Sequence, residues 1–313
     1  MKADHIITMC KSIPDSQQII EPKLGLLAAV QTQPKLGEIS DNLAEMETVI
    51  SALAPADERL VIFPEMGISG YYFGNREKLW KLSEPVPGGD ITQELEKITA
   101  TNNCYIVAGL PERAGNELFN SAVFIGPEGY ITKYRKIHLW DEEKLLYDPG
   151  DLGLVIADTP IGRIGLMICY DLWFPEQARI LGQMGADVIA MPAALVWNDT
   201  PAHIRRGYYM ADYVAIVTAH LNQVYLAMAS QVGFYNDHWL FGSSIIVSPY
   251  GWPLVEPADD ETPTFLQAEV DFFLGRQLRS WSSMDDFNED RRIDVYGQLL
   301  GYNPSRFEMD DEK

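Results

Sequence analysis

Mixed β-sheets covered by helices are the α/β architecture this sequence predicts, and three observations carry the prediction. Apolar runs of roughly four to eight residues, each closed by turn residues, recur along the chain as buried strands do. Segments with helical spacing separate several of these runs, which is an α/β pattern. Other neighbours meet across tight turns such as Gly126-Pro-Glu-Gly129, which signal antiparallel hairpins. Hairpins beside crossovers argue for mixed sheets and against a purely parallel doubly wound sheet.

Taken in order, residues 1–22 lack clear periodicity, carry Pro14 and Pro22, and read as an extension outside the core. The run 24–30 is the first strand. Residues 42–53 have helical spacing, with Ser40 or Asp41 available as N-cap. Strand 60–63, helix 91–100 and strand 104–108 follow. Runs 120–125 and 130–139 form a hairpin, and 154–157 with 162–168 repeat that pattern. Pro175 opens a helix that ends near Gly182 and Gly185. Strand 188–191, a helix over about 201–213, and strands 215–219, 225–230 and 244–248 complete the body. No repeat or Pro/Ser-rich linker divides 23–270, so it is expected to be one domain. Residues 271–313 are charged and aromatic without a long apolar stripe, an arm suited to lying over a second subunit.

Composition narrows the function. The 313 residues, 47% hydrophobic and 11% aromatic, exclude disorder over the whole chain. A net charge of -21 argues against nucleic acid and anionic membrane surfaces as partners. No apolar run approaches the roughly 20 residues needed to span a bilayer. The opening residues lack the pattern of a secretory leader. Three cysteines, Cys10, Cys104 and Cys169, cannot all pair, so a reducing cytoplasm is the expected location. No His or Cys pair has metal-ligand spacing, and no phosphate loop or dinucleotide fingerprint is present, so no metal or cofactor is implied.

Chemistry concentrates in three places. Cys169 closes the uncharged run that begins at Ile164, and Tyr170-Asp171 and Pro175 follow it. A thiol on such a strand-to-helix turn projects from the sheet edge, as nucleophiles on elbows do. Glu65 ends the apolar strand Leu60-Val-Ile-Phe-Pro-Glu, and Lys136 sits within a β-branched and aromatic stretch. Alone, each has an ordinary explanation: a buried apolar thiol, an exposed strand-end carboxylate, a solvated edge lysine. Together they meet the needs of acyl transfer. A carboxylate desolvated at a strand end takes the thiol proton, the thiolate attacks, and the ammonium with the Tyr170 N–H stabilises the oxyanion. His138 is a rival base for Cys169, because it lies two residues beyond Lys136 and imidazole commonly activates thiols.

The segments Phe63-Pro-Glu65, Tyr134-Arg-Lys136-Ile-His-Leu139 and Cys169-Tyr-Asp-Leu-Trp-Phe-Pro-Glu176, in that order, resemble the nitrilase or carbon–nitrogen hydrolase superfamily. The likeness runs from about Leu24 to Gly251 and includes Gly109-Leu-Pro-Glu-Arg113, Asn120-Ser-Ala122, Gly129-Tyr-Ile131 and Phe241-Gly-Ser-Ser244. It implies an α-β-β-α sandwich of two mixed sheets flanked by helices. It also implies a Glu-Lys-Cys triad at Glu65, Lys136 and Cys169, and a second glutamate near them. Glu143, ahead of Asp148-Pro-Gly150, fits that place on spacing, with Glu142 adjacent.

The resemblance also points to a reaction. Nitrile-cleaving members tend to read Cys-Trp-Glu at the nucleophile, whereas this chain reads Cys169-Tyr-Asp171, like the amidase and carbamoylase branches. Leu172 and Trp173 stand where carbamoylases of α-amino acids tend to carry a carboxylate-binding arginine. An uncharged or cationic small amide or N-carbamoyl amine is therefore the expected substrate, although Arg205 and Arg206 could reach a carboxylate from another direction. Tyr71, Tyr170, Trp173 and Trp197 are the expected pocket residues. A nitrilase, or a non-catalytic binding relative, is the alternative, and the family pattern together with the arm predicts a homodimer or larger oligomer.

Overall fold

In the computed structural model, which describes residues 21–296 apart from 72–73, 198–203, 206–207, 236 and 283, the first apolar run becomes strand β1 (Leu24–Gln31). Leu27 and Ala29 point into one core, and Leu26, Ala28 and Val30 into another. Both faces are apolar because both are covered. Strands β2 (Arg59–Ile62), β3 (Tyr105–Ala114), β4 (Glu117–Gly126) and β5 (Gly129–Arg135) extend the sheet in that order from β1. The late strand Thr264–Asp271 pairs antiparallel on the other side of β1. The first three pair parallel, whereas β3–β4 and β4–β5 are antiparallel hairpins.

A second sheet holds β6 (Val155–Thr159), β7 (Gly162–Leu166) and β8 (Val188–Ala193), followed by Tyr225–Ser230 and Ile245–Val247. It too is mixed: β7, β8 and Tyr225–Ser230 run parallel and its two edges antiparallel. The sheets stack, so that Leu27, Leu60, Ile62, Val107 and Phe124 share one core with Ile164, Leu166, Ile189, Met191 and Leu226. Over the outer face of the first sheet lie helices Ile39–Ala52 and Asp90–Asn102. Their buried residues, Leu43, Met46 and Ile50 on one and Ile91, Leu95 and Ile98 on the other, keep helical spacing. Helices Pro175–Gln183 and Met210–Asn222 supply Ala178, Leu181, Ala215 and Ala219 to the core of the second sheet. The architecture is the expected α-β-β-α sandwich.

One stretch departs from the sequence reading. Residues 215–219, expected as a strand after a helix over 201–213, lie inside the helix Met210–Asn222. Ala211, Ala215, Thr218 and Ala219, buried along with Asp212, form an i, i+4, i+7, i+8 set that outweighs the β-branched run Ile216-Val217-Thr218. Residues 201–203 lie outside the described residues. Strand Thr264–Asp271 carries no apolar-run signature in the sequence because it is an edge strand whose side chains are mostly half exposed.

The chain divides into two compact units, Met1–Gln277 and Leu278–Lys313. The first thus continues past the expected boundary at 271: Phe272 is fully buried, and Arg276 makes two bonds to the Asp187 carboxylate, at 2.7 and 2.6 Å. Within the second, Trp281 packs on Phe287 with ring centroids 4.5 Å apart.

Candidate active site

Glu65 lies three residues beyond β2, where Pro64 turns the chain out of the sheet. The Pro64 carbonyl accepts from the N–H groups of Gly67 and Gly109, which ties this turn to β3. A Cβ at Gly109 would stand 2.5 Å from the Met66 nitrogen and 2.6 Å from the Glu65 Cα, so only glycine lets β3 approach. Lys136 follows β5 directly. Its N–H donates to the Asn120 carbonyl and its carbonyl accepts from Gly150, at 2.8 and 2.9 Å. Glu143 opens the short helix Glu143–Leu146. Cys169 heads the 3-10 turn Cys169–Trp173 with φ +44°, a left-handed conformation that is uncommon for a non-glycine residue.

These turns, from both sheets, bring the four side chains together. The Lys136 ammonium donates to Glu65 Oε1 at 2.7 Å and to Glu143 Oε1 and Oε2 at 3.0 and 2.8 Å. Glu143 also accepts from the Tyr71 hydroxyl (2.9 Å), the Trp140 N–H (2.7 Å) and Asn120 Nδ2 (2.8 Å). Asn120 Nδ2 reaches Glu65 Oε1 as well, at 2.6 Å. Glu142 is exposed, whereas Glu143 is buried, so the latter occupies the place beside Lys136. The Cys169 thiol donates to the Ala194 carbonyl at 3.7 Å.

Two buried carboxylates share one ammonium, and this arrangement sets the acidity of Glu65. Burial pushes the Glu65 carboxyl up to about 7, against the pull of Lys136 and with the push of Glu143. Burial works against the Lys136 charge, yet Glu143 and Glu65 outweigh it and hold the ammonium well above its usual range. Burial, then the Glu65 charge, drives the Cys169 thiol up, while Lys136 opposes them. Among the described residues, Glu65 Oε2 is a buried carboxylate oxygen with no hydrogen-bond partner. Both lone pairs of this oxygen are thus left unengaged.

Cys169 opens into a cavity of about 270 Å³. Tyr71, Tyr170 and Trp173 line it, as do Trp140, Ala194, Leu195, Val196, Tyr209, Met210, Ala211 and Phe241. Trp197 stands behind this wall, its ring edge-on to Tyr209 and Phe241. His138 does not serve the thiol: the chain bends after β5, and its Nδ1 pairs with Asp171 Oδ1 at 2.8 Å while its ring stacks on Phe174.

The carbon–nitrogen hydrolase family model matches residues 26–280. The chain belongs to the carbon–nitrogen hydrolase family. This hydrolase is 37% identical over 270 residues to a nitrilase of Pyrococcus abyssi, covering 86% of this chain and 98% of that protein. It is 31% identical over 281 residues to an (R)-stereoselective amidase of a Pseudomonas species (90% and 96%). A tomato (Solanum lycopersicum) N-carbamoylputrescine amidase matches at 29% over 287 residues (85% and 93%). The fold is that of a Helicobacter pylori carbon–nitrogen hydrolase, with TM-score 0.76, 24% identity and coverage of 88% and 98%. A Nesterenkonia amidase superposes with TM-score 0.71 at 20% identity (93% and 100%). Its structure records covalent addition of an acetamide moiety at the active-site cysteine.

Asn120, Tyr209 and Phe241 are among the residues of the hydrolase site to which the sequence alone gave no role. Asn120 bridges the two carboxylates, yet on a strand it looks like any buried polar residue. Tyr209 and Phe241 line the cavity from segments distant in sequence. The side chain of Arg205, and all of Arg206, lie outside the described residues.

Proposed function

We propose that this hydrolase is a thiol amidohydrolase that cleaves the C–N bond of a small amide or N-carbamoyl amine through a thioester on Cys169. The observation that carries the reading is the buried set of Glu65, Lys136 and Glu143 beneath a thiol that faces an uncharged cavity. Glu65 Oε2 takes the thiol proton, and Sγ attacks the carbonyl carbon. Lys136 and the Tyr170 N–H stabilise the oxyanion. Collapse breaks the C–N bond, and the leaving nitrogen carries away the proton held by Glu65. Water then gives a proton to Glu65 while its oxygen attacks the thioester. The acid departs, and the proton returns to Cys169. Glu143 is the partner that keeps Lys136 charged throughout.

Among the described residues the cavity lining carries neither cation nor carboxylate, which supports an uncharged reacting molecule. Cys104 and Cys169 are both free thiols, in keeping with the cytoplasmic location we propose. Among the described residues no helix is long and apolar enough to cross a membrane. A homodimer or larger assembly remains our reading from the sequence.

A second reading, nitrile hydrolysis to the acid, is favoured by one observation, the 37% identity to a protein named a nitrilase. It uses the same residues. Ammonia release across aliphatic amides, N-carbamoyl amines, N-carbamoyl amino acids and nitriles, with Cys169→Ala as blank, separates the two. Turnover of amides or carbamoyl amines supports the proposal. Turnover of nitriles alone refutes it in favour of the second reading.

A further inference from the structure

The Asp171 carboxylate, two residues past the thiol, is fully buried and takes no part in the chemistry above. Its Oδ1 receives the His138 N–H at 3.2 Å and pairs with His138 Nδ1 at 2.8 Å. Its Oδ2 receives the Tyr134 hydroxyl at 2.8 Å and the Ile168 N–H at 2.9 Å. An ionised carboxylate offers about four lone-pair sites, and all four are engaged. The Tyr134 oxygen itself accepts from Gln177 Nε2 (3.0 Å) and the Ile137 N–H (3.2 Å), so its only proton is directed at Asp171. The His138 ring lies flat on Phe174, with centroids 3.8 Å apart and planes 7° apart. No rotation of either donor is free.

The identity of these donors matters. Tyr134 and His138 lie two residues either side of Lys136, and Ile168 immediately precedes Cys169. One buried anion therefore holds the segment that carries the ammonium against the turn that carries the thiol. Those segments come from different sheets. We propose that Asp171 is a positioning residue that fixes the separation of Lys136 from Cys169, and that Tyr134 and His138 are its two handles. The proposal rests on the reading of Cys169 and Lys136 as nucleophile and electrostatic partner. Rates of this kind of chemistry fall about 10²-fold for a misplacement near 1 Å. Asparagine cannot replace the aspartate, because its NH₂ would face the Ile168 or His138 N–H, donor against donor.

The test measures kcat, KM and the pH midpoint of Cys169 alkylation by iodoacetamide, read on the Cys169 peptide by mass spectrometry. It compares the full-length enzyme with Asp171→Asn and Tyr134→Phe. Removing a buried negative charge would by itself favour the thiolate and lower the midpoint. Loosening Lys136 would raise it. The proposal expects a higher midpoint in both variants, a kcat loss of about 10²-fold for Asp171→Asn, a smaller loss for Tyr134→Phe, and little change in KM. Tyr134→Phe removes one hydroxyl and retains every charge, so it keeps the test open if Asp171→Asn fails to fold. An unchanged kcat and midpoint in Tyr134→Phe, or a lower midpoint in Asp171→Asn, overturns the proposal. Because alkylation needs no substrate, these outcomes are read separately from the Cys169→Ala blank that tests the amidohydrolase reading.

Discussion

Replacing Glu143 by glutamine should change the pH dependence of this enzyme in a direction opposite to intuition. Glu143 accepts from four groups, and its charge lies within 3.0 Å of the Lys136 nitrogen. Glutamine has a single acceptor oxygen, so at least one buried donor loses its partner, at about 1–3 kcal/mol. Removing one member of a buried ion pair costs about 3–5 kcal/mol. Lys136 retains Glu65, so the lower end applies, and a fall of several degrees in Tm is expected. The pH effect is the more telling. Glu143 pushes the Glu65 carboxyl up, so losing it leaves Lys136 to act on Glu65 alone. In the proposed mechanism Glu65 works as a base only when ionised, so wild-type kcat/KM should fall as pH drops through about 7. In Glu143→Gln the fall should come at lower pH. The weaker base should also lower the plateau. Stopped ammonia assays from pH 5 to 9, with thermal melts of the same samples, make the measurement. An acid limb that stays in place or moves upward would refute the electrostatic coupling described here.

Further predictions concern the same site. Glu65→Gln should abolish turnover but melt no lower than wild type at pH 8. The Glu65 carboxyl is raised from 4.5 to about 7, so it stabilises the fold when protonated. About 3 kcal/mol of that is lost as pH rises between those values, and neutral glutamine avoids the loss; a large drop in Tm at pH 8 would contradict this. Gly150→Ala should destabilise the protein and lower kcat together, because the added Cβ would lie 2.1 Å from the Arg135 carbonyl oxygen and 2.9 Å from that of Lys136. Crystallography or activity showing Lys136 undisturbed would count against it. Deleting the unit Leu278–Lys313 should shift the elution volume in sizing chromatography if that arm joins subunits. Equal monomeric profiles for both forms would end that idea.

Much of this was legible in the sequence because strands and turns carry local signatures. The run ending at Cys169, the closing Glu65 and the helix after Pro175 each announce themselves within a few residues. Glu143 was reached through resemblance, and its choice over Glu142 needed burial to decide it. What stayed hidden is non-local. Asn120 and Asp171 act through contacts 23–55 and 33–37 residues away along the chain, which no periodicity records. The helix Met210–Asn222 was misread because its small buried residues, Ala211, Ala215 and Ala219, give a weak apolar stripe beside a β-branched run. His138 drew attention as a base from its place after Lys136. The bend beyond Arg135 carries it to Asp171 instead.

The central claim is a common thioester on Cys169, and product partitioning tests it most directly. Two amides sharing one acyl group but differing in leaving amine would be turned over in the presence of hydroxylamine, and the hydroxamate-to-acid ratio measured for each. A shared acyl-enzyme predicts the same ratio for both substrates at every hydroxylamine concentration, with no product from Cys169→Ala. A ratio that depends on the leaving amine, or undiminished product from Cys169→Ala, would contradict the account.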